Sequence, residues 1–133
     1  METRNDVLVV DDDADMLDVM KFVLDEAGYS VRSAGNGKQA LEATAAQVPA
    51  LVLLDMLMPV MDGWQCAREL RARYGHIPIV VVTAAENARA FGAEVGADDV
   101  LPKPFEIDDL LQVVERHVAR PAPSHPAPEA PSA

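Results

Sequence analysis

The 133 residues include one cysteine, Cys66, so no intrachain disulfide can form. A reduced, cytoplasmic setting fits that absence, and Cys66 itself reads as a buried thiol on a helix. No apolar run approaches the roughly 20 residues a membrane span requires, so no membrane partner is expected. The opening residues, Met1-Glu2-Thr3-Arg4-Asn5-Asp6, are polar, and no secretion leader is expected there. Positive charge is scarce: 11 Lys and Arg stand against 22 Asp and Glu, a net charge of −11. A nucleic-acid backbone would ask for clustered Lys and Arg, so no nucleic-acid partner is expected either.

What is present is enough for one core. Half the residues are hydrophobic, and the length suits one domain rather than two. That domain is expected over residues 1–119. From Arg120 the sequence turns to Pro121-Ala122-Pro123-Ser124-His125-Pro126-Ala127-Pro128 and onward in kind. Its prolines block helix and sheet, so residues 120–133 read as a disordered or polyproline-like tail.

Three short apolar runs end abruptly in polar residues. Val7-Leu8-Val9-Val10 meets Asp11-Asp12-Asp13, Leu51-Val52-Leu53-Leu54 meets Asp55, and Ile79-Val80-Val81-Val82 meets Thr83. A shorter run, Val100-Leu101, leads to Pro102-Lys103-Pro104-Phe105. Continuous apolar runs of this length read as strands buried on both faces, which belong to parallel sheets covered by helices. Tyr29 to Ala34 supplies a further strand.

Between the strands the period is helical. Met16, Met20, Val23, Leu24 and Ala27 define a helix from about Met16 to Ala27, started by Asp13-Ala14-Asp15 and ended by Gly28. Lys38 to Gln47 reads as a second, with Ala40, Leu41, Thr44 and Ala45 inward; Gly63 to Arg73, carrying Trp64, Ala67 and Leu70, as a third. Phe91 and Val95 suggest a short fourth within Ala84 to Gly96, and Ile107, Leu110, Leu111, Val114 and Val118 mark a last from Glu106 to about Ala119. The strand–helix unit recurs five times, which predicts an α/β domain with right-handed crossovers.

In such folds ligands bind at the carboxyl ends of the strands. Asp11, Asp12 and Asp55 would converge there as an oxygen-rich pocket suited to Mg²⁺. Lys103, held between two prolines, is an aimed cation for a phosphoryl oxygen, and the Thr83 hydroxyl can donate to another. Carboxylate, Mg²⁺, Lys and Thr are the parts that phosphoryl transfer to an aspartate needs.

Val9-Val10-Asp11-Asp12, Leu53-Leu54-Asp55-Met56-Leu57-Met58-Pro59-Val60-Met61-Asp62-Gly63, Val82-Thr83-Ala84, Gly96-Ala97-Asp98-Asp99 and Lys103-Pro104-Phe105 stand in order. With this set the chain resembles the receiver domain of bacterial two-component response regulators, over about Asp6 to Ala119, and in particular the stand-alone, chemotaxis-type single-domain regulators. The resemblance implies a flavodoxin-like (βα)5 fold, a five-stranded parallel sheet of order 2-1-3-4-5 with helices on both faces. It implies that Asp55 accepts a phosphoryl group from a sensor histidine kinase or a histidine phosphotransfer protein. Asp12, Asp55 and the backbone carbonyl of Leu57 would hold Mg²⁺, Asp11 would act through water, Lys103 would pair with Asp55, and Thr83 would move to the phosphoryl group. It further implies a cis Lys103-Pro104 bond, an unknown downstream protein partner, and a monomer or weak phosphorylation-dependent dimer. The chain would be a signalling domain rather than an enzyme, with at most slow autophosphatase activity.

Three features depart from the family pattern. The usual aromatic three residues before the lysine is Val100, which has no ring to swing. The Thr83–Lys103 segment is about two residues shorter than common, and the loss is expected at the start of the fourth helix. Leu57 and Ala85, flanking the path of a hydrolytic water in the family, cannot hydrogen-bond it, which predicts slow dephosphorylation. Two alternatives remain: a phosphorylation-independent interaction module of the same fold, and a haloacid-dehalogenase-type phosphatase. The second would use Asp11 as nucleophile with Thr83, Lys103, Asp108 and Asp109, but leaves Asp55 to Gly63 without a role. His117 reads as a surface residue at a helix end.

Overall fold

The computed structural model describes residues 5–118. The proline-rich segment from Arg120, and the tail expected there, lie outside the described residues. Five strands, β1 (Asp6–Val10), β2 (Ser30–Ala34), β3 (Leu51–Asp55), β4 (Ile79–Ala84) and β5 (Asp99–Lys103), form one sheet in the order β2-β1-β3-β4-β5. Every pairing is parallel. Alternating with them are α1 (Ala14–Glu26), α2 (Gly37–Ala46), α3 (Gly63–Tyr74), α4 (Ala85–Val95) and α5 (Ile107–His117). The fold is the flavodoxin-like one that the motifs implied.

All five residues of β1 and of β3 are buried, because the sheet is covered twice. Successive side chains point to opposite faces. Val7, Val9, Leu51, Leu53, Val80 and Val82 meet Met20, Val23 and Leu24 of α1 and Leu110, Val113 and Val114 of α5. Leu8, Val10, Val52, Leu54, Ile79 and Val81 meet α2 and α3 through Ala40, Leu41, Cys66, Ala67 and Leu70, with Phe91 of α4 packed alongside. Cys66 is the buried helical thiol expected of it, and burial pushes its pKa up to about 11.

The caps set the helix starts. The Asp13 side chain accepts from the N–H groups of Asp15 (3.0 Å) and Met16 (3.3 Å), so α1 begins at Ala14, two residues before the expected start. Asn36 accepts from Gln39 N–H at 2.8 Å and starts α2. Two inward assignments change. Ala45, about 100° past Thr44 on the helix, is exposed, while Ala43 is half-buried. Ile107, in the first turn of α5, is 57 % exposed, and Val113 takes its place in the core.

The fourth helix is a full 11 residues rather than short, and it follows the strand directly: β4 ends at Ala84 and α4 begins at Ala85. At the outer edge of the sheet, Arg32 of β2 donates through Nη1 to Ala43 O and through Nη2 to Gln47 O, each at 2.6 Å. It thereby closes the C-terminal end of α2 and also lies 3.7 Å from Asp6 Oδ2. Among the described residues no helix is long and apolar enough to cross a membrane.

Candidate phosphoacceptor site

Four strand ends meet at one edge of the sheet. β1 leads into Asp11 and Asp12, β3 ends in Asp55, Thr83 is the penultimate residue of β4, and β5 ends in Lys103. The register places Val10 beside Leu54, Asp55 beside Val82, and Thr83 beside Pro102. Asp11 and Thr83 are each 2 % exposed and Asp55 7 %, while Asp12 is exposed. The pocket is therefore a buried carboxylate pair with an open acidic lip.

The chain is bent tightly behind Asp55. A Cβ at Gly63 would fall 2.5 Å from Met56 Sδ and 2.7 Å from Met56 Cα, so only glycine lets α3 start this close to the strand end. The Gly63 N–H donates to Met56 O at 2.9 Å. Between them Met61 N–H donates to Pro59 O at 2.8 Å across Val60, whose φ is 72°. This is a γ-turn of the strained, positive-φ kind. The Leu57 N–H donates to the Asp55 carboxylate, and the Leu57 side chain is exposed. The Lys103-Pro104 bond is cis.

Carboxylate oxygens of Asp11, Asp12 and Asp55 all lie within 4.8 Å of one another. Burial pushes the Asp55 pKa up to about 6, and the Asp11 charge adds to the shift; the Lys103 ammonium and the Leu57 N–H offset only part of it. Lys103 Nζ lies 3.0 Å from Asp11 Oδ2 and 3.9 Å from Asp55 Oδ1, so its closer partner is Asp11 rather than Asp55. Asp13 N–H donates to the other Asp11 oxygen at 2.9 Å. An all-oxygen set, open on the Asp12 side and strained by its own repulsion, fits a hard divalent cation.

Val100 lies half-buried on β5. A Cβ at Gly92 of α4 would meet Val100 Cγ1 at 2.5 Å, so helix and strand touch with no side chain between them. Asp108 and Asp109 do not join the acidic cluster: they sit in the first turn of α5, where Asp109 accepts from Glu106 N–H at 3.0 Å. His117 is at the opposite end of β5 from Lys103. Its Nε2 lies 3.1 Å from Asp99 Oδ2, which also accepts from Arg116 Nε at 2.9 Å. His117 is thus a tethered residue. Asp98 accepts from Ile79 N–H at 2.9 Å and ties down the start of β4. Of the supporting parts, Gly63 had a signal in the Asp62-Gly63 pair. The γ-turn at Val60 and the Gly92–Val100 contact had none.

Residues 7–115 match the response regulator receiver domain family. The chain belongs to that family. It is 39 % identical over 125 residues to response regulator MprA of Mycolicibacterium vanbaalenii, covering 92 % of this chain and 54 % of that protein. With MprA of Mycobacterium leprae it shares 38 % over 123 residues, 91 % and 54 % of the respective chains. The chain thus spans about half the length of these curated relatives. Among solved structures, the chemotaxis protein CheY4 of Vibrio cholerae superposes with a TM-score of 0.78 at 31 % identity, over 86 % of this chain and 99 % of that one. A response regulator from Chloroflexus aurantiacus gives 0.78 at 35 % identity, over 88 % and 99 %. The matched proteins thus include ones covered almost whole by this chain and relatives about twice as long.

Proposed function

We propose that this receiver is a phosphoacceptor, with Asp55 taking a phosphoryl group from the phosphohistidine of a sensor kinase or a histidine phosphotransfer protein in the cytoplasm. The observation that carries the reading is the buried Asp11–Asp55 pair with Lys103 Nζ 3.0 Å from one and 3.9 Å from the other.

An Asp55 oxygen attacks phosphorus as the P–N bond to the imidazole breaks, and the departing nitrogen keeps the bond's electron pair. Asp55 must be ionised to attack, and a pKa of about 6 leaves it so at neutral pH. Asp12, Asp55 and the Leu57 carbonyl would hold Mg²⁺, with Asp11 acting through water; the ion would supply positive charge to offset the negative charge gathered at the site. Lys103 sits within reach of both carboxylates and can follow the new negative charge. The Thr83 hydroxyl donates to a phosphoryl oxygen. Leu57 and Ala85 offer no hydrogen bond to an attacking water, so the acyl phosphate is long-lived and autophosphatase activity slow.

A phosphodonor protein needs a surface beside the site. A cavity of about 260 Å³ lies there, lined by Asp13, Asp15, Met16, Val19, Pro104 and Phe105. Val19 and Phe22, one turn apart on α1, are both exposed, which suits the apolar face of a donor helix. Phosphorylation then biases two conformations and alters docking to a downstream protein.

The test is incubation with Mg²⁺ and acetyl phosphate, read by intact mass. A Mg²⁺-dependent phosphoryl gain that vanishes in Asp55→Asn is expected. A gain that survives the substitution, or none at all in the wild type, rules the reading out.

A further inference from the structure

One face of α3 is hollow. Trp64, Ala67, Arg68 and Arg71 stand at i, i+3, i+4 and i+7, so their side chains share one stripe of the helix. Ala67 is short between long neighbours. The last two residues of α4, Glu94 and Val95, close the hollow into a cavity of about 290 Å³. That is near the lower limit for small-molecule sites, roughly 300 Å³. Trp64, Ala67 and Val95 give it apolar walls. The Trp64 ring is set in place by Phe91, edge-on with centroids 4.7 Å apart, and by Glu94, whose Oε2 accepts from Trp64 Nε1 at 2.8 Å.

The polar wall is cationic, although the chain as a whole carries a net charge of −11. Arg68 is exposed at the rim and Arg71 half-buried behind it. Arg71 Nη1 donates to Val95 O. Its Nη2 lies 3.7 Å from Asp98 Oδ2, an oxygen that already accepts from Ile79 N–H at 2.9 Å. Arg71 Nε and Nη2 are both buried, and neither donates a hydrogen bond to any acceptor among the described residues. These two nitrogens form one edge of the guanidinium, with parallel N–H groups that match the two oxygens of a carboxylate. Buried donors left unpaired are costly, so an anion that reaches this edge gains more than it would at a solvated arginine.

We propose that the groove between α3 and α4 binds a small aromatic carboxylate, its flat body against Trp64, Ala67 and Val95 and its charge between Arg68 and Arg71. The Arg71 edge is shut off from solvent, so the guanidinium turns toward the ligand about its bond to Val95 O. This site goes beyond the phosphoacceptor reading and does not depend on it.

Benzoate is the probe, titrated into the full, unphosphorylated chain without Mg²⁺. Trp64 is the single tryptophan, so its indole N–H resonance reports the groove directly by NMR. A saturable shift is expected with benzoate. Benzamide, which keeps the ring and loses the charge, and acetate, which keeps the charge and loses the ring, should each bind about ten-fold more weakly or worse. Arg71→Met should weaken benzoate by about ten-fold. Arg73→Gln removes the same charge from α3 at a residue outside the cavity, paired with Glu69 at 3.3 Å, and should leave benzoate binding near wild type. Arg68→Gln, at an exposed position, should weaken benzoate in the same direction as Arg71→Met and decides the matter if that variant does not fold. A shift that never saturates, benzamide or acetate binding as well as benzoate, or an Arg73→Gln loss equal to that of the lining arginines overturns the site. Labelling of Asp55 plays no part in this readout, so a failure of the phosphoacceptor reading would leave the groove standing.

Discussion

Asp55 carries two opposed demands. To accept a phosphoryl group as proposed it must be ionised, yet burial and Asp11 raise its pKa to about 6 from 3.8. A carboxyl whose folded pKa is raised keeps its proton longer in the native state than in the unfolded one. Its contribution is therefore favourable below about pH 4 and is lost as pH rises through 6. At neutral pH the metal-free protein carries a penalty on the order of 1–3 kcal/mol from this group. Asp55→Asn should remove it: in EDTA its urea midpoint is expected above wild type at pH 7, with the gap closing toward pH 4. Added Mg²⁺ should stabilise the wild type far more than the variant. Equal midpoints at pH 7 would mean that Asp55 is not strained. Val60 carries a second strain, a β-branched residue at φ 72°. Val60→Gly is expected to raise stability by about 1 kcal/mol in the same assay, because glycine adopts that region freely. That Asp11, Asp12, Asp55, Thr83 and Lys103 would meet at one edge of the sheet was legible in the sequence, because each lies at or just after the end of an apolar run. Which carboxylate Lys103 prefers was not, since that depends on distances of 3.0 and 3.9 Å across three strands.

The elements owe their boundaries to single polar groups. Asp13→Ala removes the acceptor for two first-turn N–H groups of α1 and should cost about 1 kcal/mol in chemical denaturation. Gly63→Ala sets a methyl against the Met56 backbone and should cost 1–3 kcal/mol, roughly the range for an overpacked core. Its effect on labelling of Asp55 should exceed its effect on folding, as the same strand end moves. A Gly63→Ala protein with wild-type stability and labelling would show that the turn is more pliant than its contacts imply. Five strands and five helices followed from apolar runs and from residues such as Met20, Val23 and Leu24 at helical spacing. The full length of α4 did not. Its buried positions are Ala88 and Gly92, whose small side chains leave little apolar pattern to read. The inward face of α5 was misjudged at Ile107 for a related reason: a periodic residue is buried only if the helix already overlies the sheet at that turn.

At the scale of the molecule, one acidic body presents an apolar patch on α1 beside its site. Val19→Asp should slow phosphoryl transfer from a phosphohistidine protein by about ten-fold, the effect of some 1.4 kcal/mol, while labelling by acetyl phosphate stays unchanged. An equal loss with both donors would place the defect in the site rather than in docking. With carbon side chains at Leu57 and Ala85, the positions proposed to flank an attacking water, labelled protein freed of donor is expected to lose its phosphoryl group over minutes or longer; decay within seconds would contradict it. The general architecture was legible because a parallel sheet covered on both sides imposes its own grammar, but surfaces such as Trp64 against Glu94 join helices far apart in sequence and leave no local trace. The Arg32 clasp bears on how many copies of the chain share a solution. β2 borders the sheet with no further strand beside it among the described residues, and such margins invite other molecules to add themselves. Here the Arg32 guanidinium spans from that margin to the end of α2. A charged side chain on that margin works against a further strand adding itself there.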